Sequence, residues 1–334
     1  MIVKKIPILQ GFPAPDTVNY LSNVKNELSE NSAIFYDIET TGLSRYTASV
    51  YLIGAVRYEK NQWILYQWMA ENAEEEASVL QENAGYTIQY NGNRFDQPFL
   101  EERYRKYKMD SPFAGKTSVD LYQLLKPCQS LLKLARMKQP DLEKLVGIHN
   151  RKYVDGGQCI RLYRNFVKKQ LPEIGTEVMG HNEEDLRGLG KIFPLLSLRK
   201  LYDGEYCPKQ CEVINQELKM TLELPAAVPI NVSCGNTSFY LTVSDQEAKI
   251  LVHLNEGKLR QYYRNYKDYE YISGEDTAMP KSISKYMDKS LRVAATPQTC
   301  YTWFRCDESF VNDPVKQMQY LTHTLSFFLD NLNK

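Results

Sequence analysis

The stretch Ala33-Ile-Phe-Tyr-Asp-Ile-Glu-Thr-Thr-Gly-Leu43 constrains this chain more than any other. Ile34, Phe35 and Tyr36 read as a buried strand, and Thr40-Thr41-Gly42 as the loop that ends it. Side chains two apart on a strand share a face, so Asp37 and Glu39 present two carboxylates together at the strand's end. Like charges that close repel, and a structural core gains nothing from them unless a cation sits between. Acid-x-acid pairs are common on solvated strands. Here the pair follows an apolar run directly and precedes a Thr-Thr-Gly turn, where a glycine lets another backbone approach; the reading is a metal site.

At 334 residues the chain suits two domains, and 43% apolar with 25% charged residues describes a globular protein with a real core. Formal net charge is zero, which removes any global pull toward nucleic acid or membrane, so nucleic-acid contact must be local. The 24 tyrosines offer base-stacking surface as well as core. Seven scattered cysteines without a secretory start point to a reduced, cytoplasmic compartment. Cys207 and Cys211, with Cys300 and Cys306, have an unusual spacing for a zinc knuckle, and free thiols are expected. No apolar run approaches the roughly 18 residues that span a membrane.

Along the chain, Asp16 to Glu30 reads as an amphipathic helix with Val18, Leu21, Val24 and Leu28 on one side. Val50–Tyr58 and Gln62–Met69 read as a hairpin. Glu74-Glu75-Glu76 opens a helix with acids in its first turn and reads as a solvated helix start. Tyr86–Tyr90 is a fourth strand, Phe95 to Tyr107 a helix, and Thr117–Val119 a fifth strand; the pattern then stays helical to about residue 200. That order predicts an α/β fold, a ribonuclease H-like mixed five-stranded sheet flanked by helices. We expect it to occupy 1–203, with a helical N-terminal extension, and a smaller α+β domain to occupy 204–334.

Two more acidic positions join the first pair. Asn91-Gly-Asn-Arg-Phe-Asp96 ends a strand and starts a helix, where Asp96 alone reads as a cap. Asp185 stands at helical spacing from Leu189, Ile192 and Leu196, on an apolar face, with His181 one turn earlier. A carboxylate on a buried stripe needs a partner, and a metal held by Asp37 and Glu39 would be one.

Asp37-Ile-Glu39, Asn91-x3-Phe95-Asp96 and His181-x3-Asp185 together resemble the three motifs of the DEDD 3′–5′ exonucleases, the DnaQ-like group of the ribonuclease H-like superfamily. Tyr51-Leu-Ile-Gly54, Asn91-Gly92, Ser118-Val-Asp120-Leu-Tyr122 and His181-Asn182 are similar to a bacterial branch, the YprB-like predicted exonucleases. The resemblance covers residues 30–200 and implies a two-metal phosphodiesterase acting on DNA or RNA, most readily at a single-stranded 3′ end. Asp37, Glu39, Asp96 and Asp185 would hold two Mg²⁺ or Mn²⁺ ions, since oxygen-only ligands suit hard cations. Thr40, Thr41 and Gly42 would lie against the terminal nucleotide, Leu43 against its base, and Asn91 near the scissile phosphate or a metal-bound water. Asp120 would act behind the site or cap a helix. The family's histidine usually stands five residues before the last Asp and its tyrosine four; here a histidine takes the tyrosine spacing, as His181.

Lys133, Arg136, Lys138, Lys144, Arg151 and Lys152 form a candidate phosphate-contacting patch. Arg260 to Tyr271 alternates bases and rings, so Tyr262, Arg264, Tyr266 and Lys267 are candidate single-strand contacts, with ordinary strand packing as the alternative. The rival functions are a nuclease-derived binding module that does not cut and a structure-directed endonuclease using the same site. The complete set of four acids argues against the first.

Overall fold

The computed structural model describes residues 1–22, 34–81, 88–152, 156–236 and 238–332. Val24 and Leu28 of the expected first helix, and Tyr86 and Thr87 of the expected fourth strand, lie outside them. The chain divides into two compact units, Met1–Lys126 with Arg136–Leu196 and Pro127–Ala135 with Ser197–Lys334. The sequence reading cuts at 203/204; the units part at 196/197, and residues 127–135 go with the second.

The first unit is built on strands β1 (Ile2–Ile8), β2 (Ile34–Thr40), β3 (Val50–Glu59), β4 (Gln62–Met69), β5 (Ile88–Gln89) and β6 (Val119–Asp120). They form one sheet in the order β1-β4-β3-β2-β5-β6. The first four pair antiparallel, and β5 and β6 continue parallel to β2. The expected sheet of five strands therefore has six. The missed strand, Ile2-Val-Lys-Lys-Ile-Pro-Ile8, alternates half-buried and exposed positions along the sheet's edge. Lysines and a proline there discourage further pairing and also disguise the strand. Lys60 and Asn61 turn the β3–β4 hairpin with φ of 50° and 60°, as a tight two-residue turn requires.

Helices α1 (Pro15–Leu21), α2 (Glu76–Gln81), α3 (Asp96–Lys106), α4 (Leu121–Leu125), α5 (Gln139–Leu145), α6 (Gly156–Lys169) and α7 (Pro172–Ile192) complete this unit. Strand β2 is buried on both faces, as central strands covered by helices are. Tyr36 and Ile38 join a core with Val79, Leu80, Phe99 and Leu100 of α2 and α3. Phe35 points the other way, with ring centroids 5.1 Å from Phe12 and 5.5 Å from Phe193. Alternation then puts Asp37 and Glu39 on the Phe35 face.

The acid run at 74–76 is not simply a solvated helix start. Glu76 is 1% exposed and meets Arg103, also 1% exposed, through Nε–Oε1 at 2.7 Å and Nη2–Oε2 at 2.5 Å. Val50 N–H and Tyr107 Oη donate to the same carboxylate at 2.8 and 2.9 Å. One carboxylate thus ties α2, α3 and β3 together. Removing one partner of such a pair strands a buried charge and costs about 3–5 kcal/mol. Glu76→Ala should lose that much in urea unfolding; a loss under about 1 kcal/mol would contradict this reading.

Besides residues 127–135, the second unit takes in most of α8 (Leu196–Asp203) and an antiparallel sheet of β7 (Cys207–Ile214), β8 (Glu217–Gly235) and β9 (Phe239–His253). β10 (Lys258–Tyr262), β11 (Tyr269–Ile272), β12 (Thr277–Pro280), β13 (Arg292–Ala294) and β14 (Tyr301–Arg305) follow. They form a β10-β14 pair and a β12-β11-β13 sheet. Short helices α9 (Lys281–Ser284) and α10 (Glu308–Val311) precede the long α11 (Pro314–Asp330). The ring-and-base run from Arg260 to Tyr271 is not one strand: β10 ends at Tyr262, and a helical turn at Tyr266–Asp268 separates it from β11. Among the described residues no helix is long and apolar enough to cross a membrane.

Candidate metal and catalytic site

The site forms where β2 ends. Residues Asp37 and Glu39 pair with Gly54 and Leu52 of β3, and the register slips immediately after Glu39, so that Thr40 pairs with Val50. The slip leaves Tyr51 as an extra residue, and its Oη donates to Glu39 Oε2 at 3.4 Å. Bulges next to sites re-aim a side chain in this way. Helix α7 brings the other partners. Its four-residue spacing puts His181 and Asp185 on one face, with Nε2 of His181 3.4 Å from Asp185 Oδ2 and 3.5 Å from Glu39 Oε1.

Carboxylate oxygens of Asp37, Glu39 and Asp185 lie within 4.8 Å of one another. Asp96 stands outside that group at the start of α3, where the backbone N–H groups of Ile38 and of its own residue support its carboxylate. Burial pushes Asp96 up to about 7, against those hydrogen bonds and helped by the charges of Asp120 and Asp185. Asp37 is held well above the ordinary carboxylate range by burial, then by the charges of Asp185, Glu39 and Asp96. Glu39 is raised by burial and by Asp185 and Asp96. An all-oxygen set in which burial and neighbouring charges raise the proton affinity of Asp37, Glu39 and Asp96 fits a hard divalent cation.

Several residues that hold this set were not read as such from the sequence. Asn182, fully buried, donates from Nδ2 to Asp37 Oδ2 at 2.8 Å and to the Asp37 carbonyl at 3.2 Å. Gln67, on β4, donates in turn to Asn182 Oδ1 at 2.8 Å. A Cβ on Gly54 would overlap Asn182 Oδ1, so this glycine is where the amide passes the sheet. Glycine inside an otherwise apolar strand was the available signal. Arg151, assigned above to phosphate contact, instead pairs with Asp185 Oδ1 and lies 3.0 Å from Glu143 Oε2. Its partners are both acids of this unit.

The loop after β2 behaves differently from expectation. Gly42 has no positive φ, and a Cβ there would meet Ala48 at an ordinary 3.5 Å, so no close approach depends on it. Thr40 is buried and donates to the Gly42 carbonyl at 2.8 Å, inside the turn. Thr41 Oγ1 accepts from Ser49 N–H at 2.9 Å, and its carbonyl accepts from Arg164 at 3.2 Å. A cavity of about 340 Å³ opens beside Thr41, lined also by Ser49, Tyr51, Tyr163, Arg164 and Lys168. Leu43 is 85% exposed. Asn91 takes a left-handed φ of 60° and its backbone N–H donates to Asp120 Oδ1 at 2.8 Å, while Asp120 also caps α4.

In the second unit Tyr262 is a core residue, corrected here from a base-stacking candidate: its ring stacks on Phe327 at 3.6 Å. Arg264 and Lys267 are exposed and Tyr266 half-buried. Arg264 and Tyr266 line a cavity of about 540 Å³ with Arg199, Tyr202, Tyr263 and Phe327.

The family model described as the RNase_H superfamily matches residues 34–197. With the sheet order above, this makes that part of the chain a ribonuclease H-like domain. A curated relative, "Uncharacterized protein YprB" of Bacillus subtilis strain 168, is 25% identical over 191 residues. The match covers 54% of this chain and 46% of the relative, so it spans about half of that protein's length. Among solved structures, "ExoI/SSB-Ct complex" is 12% identical with a TM-score of 0.28, over 90% of this chain and 74% of that one. E. coli exonuclease I with a 5cy-dA13 oligonucleotide is 14% identical with a TM-score of 0.31, over 90% and 70%. Overlap that slight does not bear on function.

The raised carboxyls set a pH dependence. A group whose folded pKa lies above its unfolded value stabilises fully below the unfolded value and loses that contribution as pH rises through the folded one. For Asp96 this window runs from 3.8 to about 7. In chelator, Tm of the wild type should fall across that window more steeply than Tm of Asp96→Asn. Parallel pH profiles would contradict it.

Proposed function

We propose that the chain is a divalent-metal-dependent nuclease that removes nucleotides from the 3′ end of DNA or RNA. The observation that carries the proposal is the convergence of Asp37, Glu39 and Asp185 with His181 at the end of β2, with Asp96 near enough to raise Asp37 and Glu39. The 3′–5′ direction rests on the resemblance of the three motifs to those of the DEDD 3′–5′ exonucleases. A binding module that does not cut has no use for four carboxylates that repel one another.

In this reading Asp37, Glu39, Asp96 and Asp185 hold two Mg²⁺ or Mn²⁺ ions, which when bound supply Lewis-acid activation of water and charge stabilisation at the leaving oxygen. The protein's own groups do the rest. Asn182 fixes the rotation of Asp37 through its Nδ2. Arg151 takes Oδ1 of Asp185 and leaves Oδ2 toward His181. His181 Nε2, which lies between Glu39 and Asp185, would accept a proton from the attacking water. Thr41 and the cavity beside it would receive the terminal nucleotide, with the exposed Leu43 against its base. Gly42 would lie beside that nucleotide, and Asn91 near the scissile phosphate or a metal-bound water. In the second unit the candidate strand contacts are Arg264, Tyr266 and Lys267.

End-labelled and circular single-stranded DNA and RNA, incubated with Mg²⁺ or Mn²⁺, test the proposal directly. Stepwise loss from labelled 3′ ends, with circles intact, is the expected result. Cut circles would favour the endonuclease reading, and no hydrolysis of any substrate would favour the binding module. Asp37→Asn and Asp185→Asn should abolish hydrolysis, and Asp37→Asn should slightly raise Tm in chelator by relieving repulsion. His181→Ala should lower kcat by about 10²–10⁴-fold if it is the general base. A loss under tenfold would demote it to a structural residue.

A further inference from the structure

Helix α6 carries a thiol to the same place. Cys159 lies one turn before Tyr163, whose ring stacks on Tyr51 at 3.8 Å, and this turns the 159/163 face of the helix toward Glu39. The Sγ of Cys159, a ring nitrogen of His181 and a carboxylate oxygen of Glu39 lie within 4.8 Å of one another, all three residues being buried. His181 Nε2 and Glu39 Oε1 stand 3.5 Å apart. Nitrogen and oxygen ligands of a tetrahedral zinc, at about 2.0–2.2 Å from the metal, are separated by about 3.3–3.6 Å. One edge of a zinc tetrahedron is therefore in place before any ion arrives.

We propose that Glu39, Cys159 and His181 form a soft-metal site for Zn²⁺ that shares Glu39 with the hard, all-oxygen set. Sulfur and imidazole favour zinc and have no value to Mg²⁺, while carboxylates alone suit Mg²⁺ or Mn²⁺. The two sets compete: zinc on the soft one takes an oxygen of Glu39 that the hard set also uses, and it occupies the His181 nitrogen assigned above to the attacking water. Zinc binding does not depend on the nuclease reading. Its consequence, inhibition of hydrolysis, does.

X-ray absorption on metal-free wild type loaded with one equivalent of Zn²⁺ reads the ligand set without any substitution. One sulfur at about 2.3 Å with nitrogen and oxygen neighbours is expected. No sulfur, or two and more, overturns the proposal; two would place the ion at other cysteines. Calorimetric titration gives the second arm: Cys159→Ala and Cys159→Ser should each lose at least tenfold in Zn²⁺ affinity and keep wild-type Mn²⁺ affinity. Zinc affinity unchanged in both variants, or Zn²⁺ and Mn²⁺ affinity falling together, would count against it. Zn²⁺ should also inhibit hydrolysis by wild type at concentrations at least tenfold below those needed for Cys159→Ala. Zinc binding through one sulfur by a chain that hydrolyses nothing would sink the nuclease proposal and leave the zinc site standing.

Discussion

Repulsion among carboxylates drawn out of water at the end of β2 is the constraint to which the neighbouring structure answers. Asp37, Glu39 and Asp185 crowd one another, and burial adds to the cost of keeping Asp37 and Glu39 charged. Each has a dedicated support. Asp37 is held by Asn182, itself held by Gln67; Glu39 by Tyr51; Asp185 by Arg151, which Glu143 braces. Asp96 leans on the backbone of Ile38. These supports come from β2, β3, β4, α5, α7 and the segment before α6; Tyr51 and Asn182 reach the acids because β3 slips register by one residue and carries a glycine opposite Asp37.

Local pattern made the acids legible. Alternation along a strand put Asp37 beside Glu39, helical spacing put His181 over Asp185, and a strand-turn-helix boundary marked Asp96. What stayed hidden depends on pairing between distant segments. Gln67 and Asn182 are 115 residues apart, and nothing local to either amide announces the contact. Glu76 and Arg103 each look like a solvated charge until α2 and α3 meet. The N-terminal strand escaped because an edge carrying Lys4, Lys5 and Pro7 lacks the apolar run that marks a central strand.

The second unit shows the limit of reading composition as surface. The alternation of rings and cations from Arg260 onward serves internal packing in large part. Arg260 lies over Tyr301 at 4.5 Å and Trp303 at 4.6 Å, and Asp276 accepts from Tyr271, Tyr301 and Trp303. With Tyr262 stacked in the core, Arg264, Tyr266 and Lys267 are what remains of the proposed strand contact. A ribonuclease H-like sheet likewise fixes where chemistry can occur without fixing which chemistry does.

Whether the acids exist to hold cations is open to one direct measurement, calorimetric titration of Mn²⁺ into metal-free protein near neutral pH in two buffers of different ionisation enthalpy. Carboxyls raised as Asp37, Glu39 and Asp96 are must give up protons when a cation binds. The account predicts saturable binding of two ions with proton release, and loss of both from Asp37→Asn. Binding without proton release, or binding unaltered in Asp37→Asn, would contradict it.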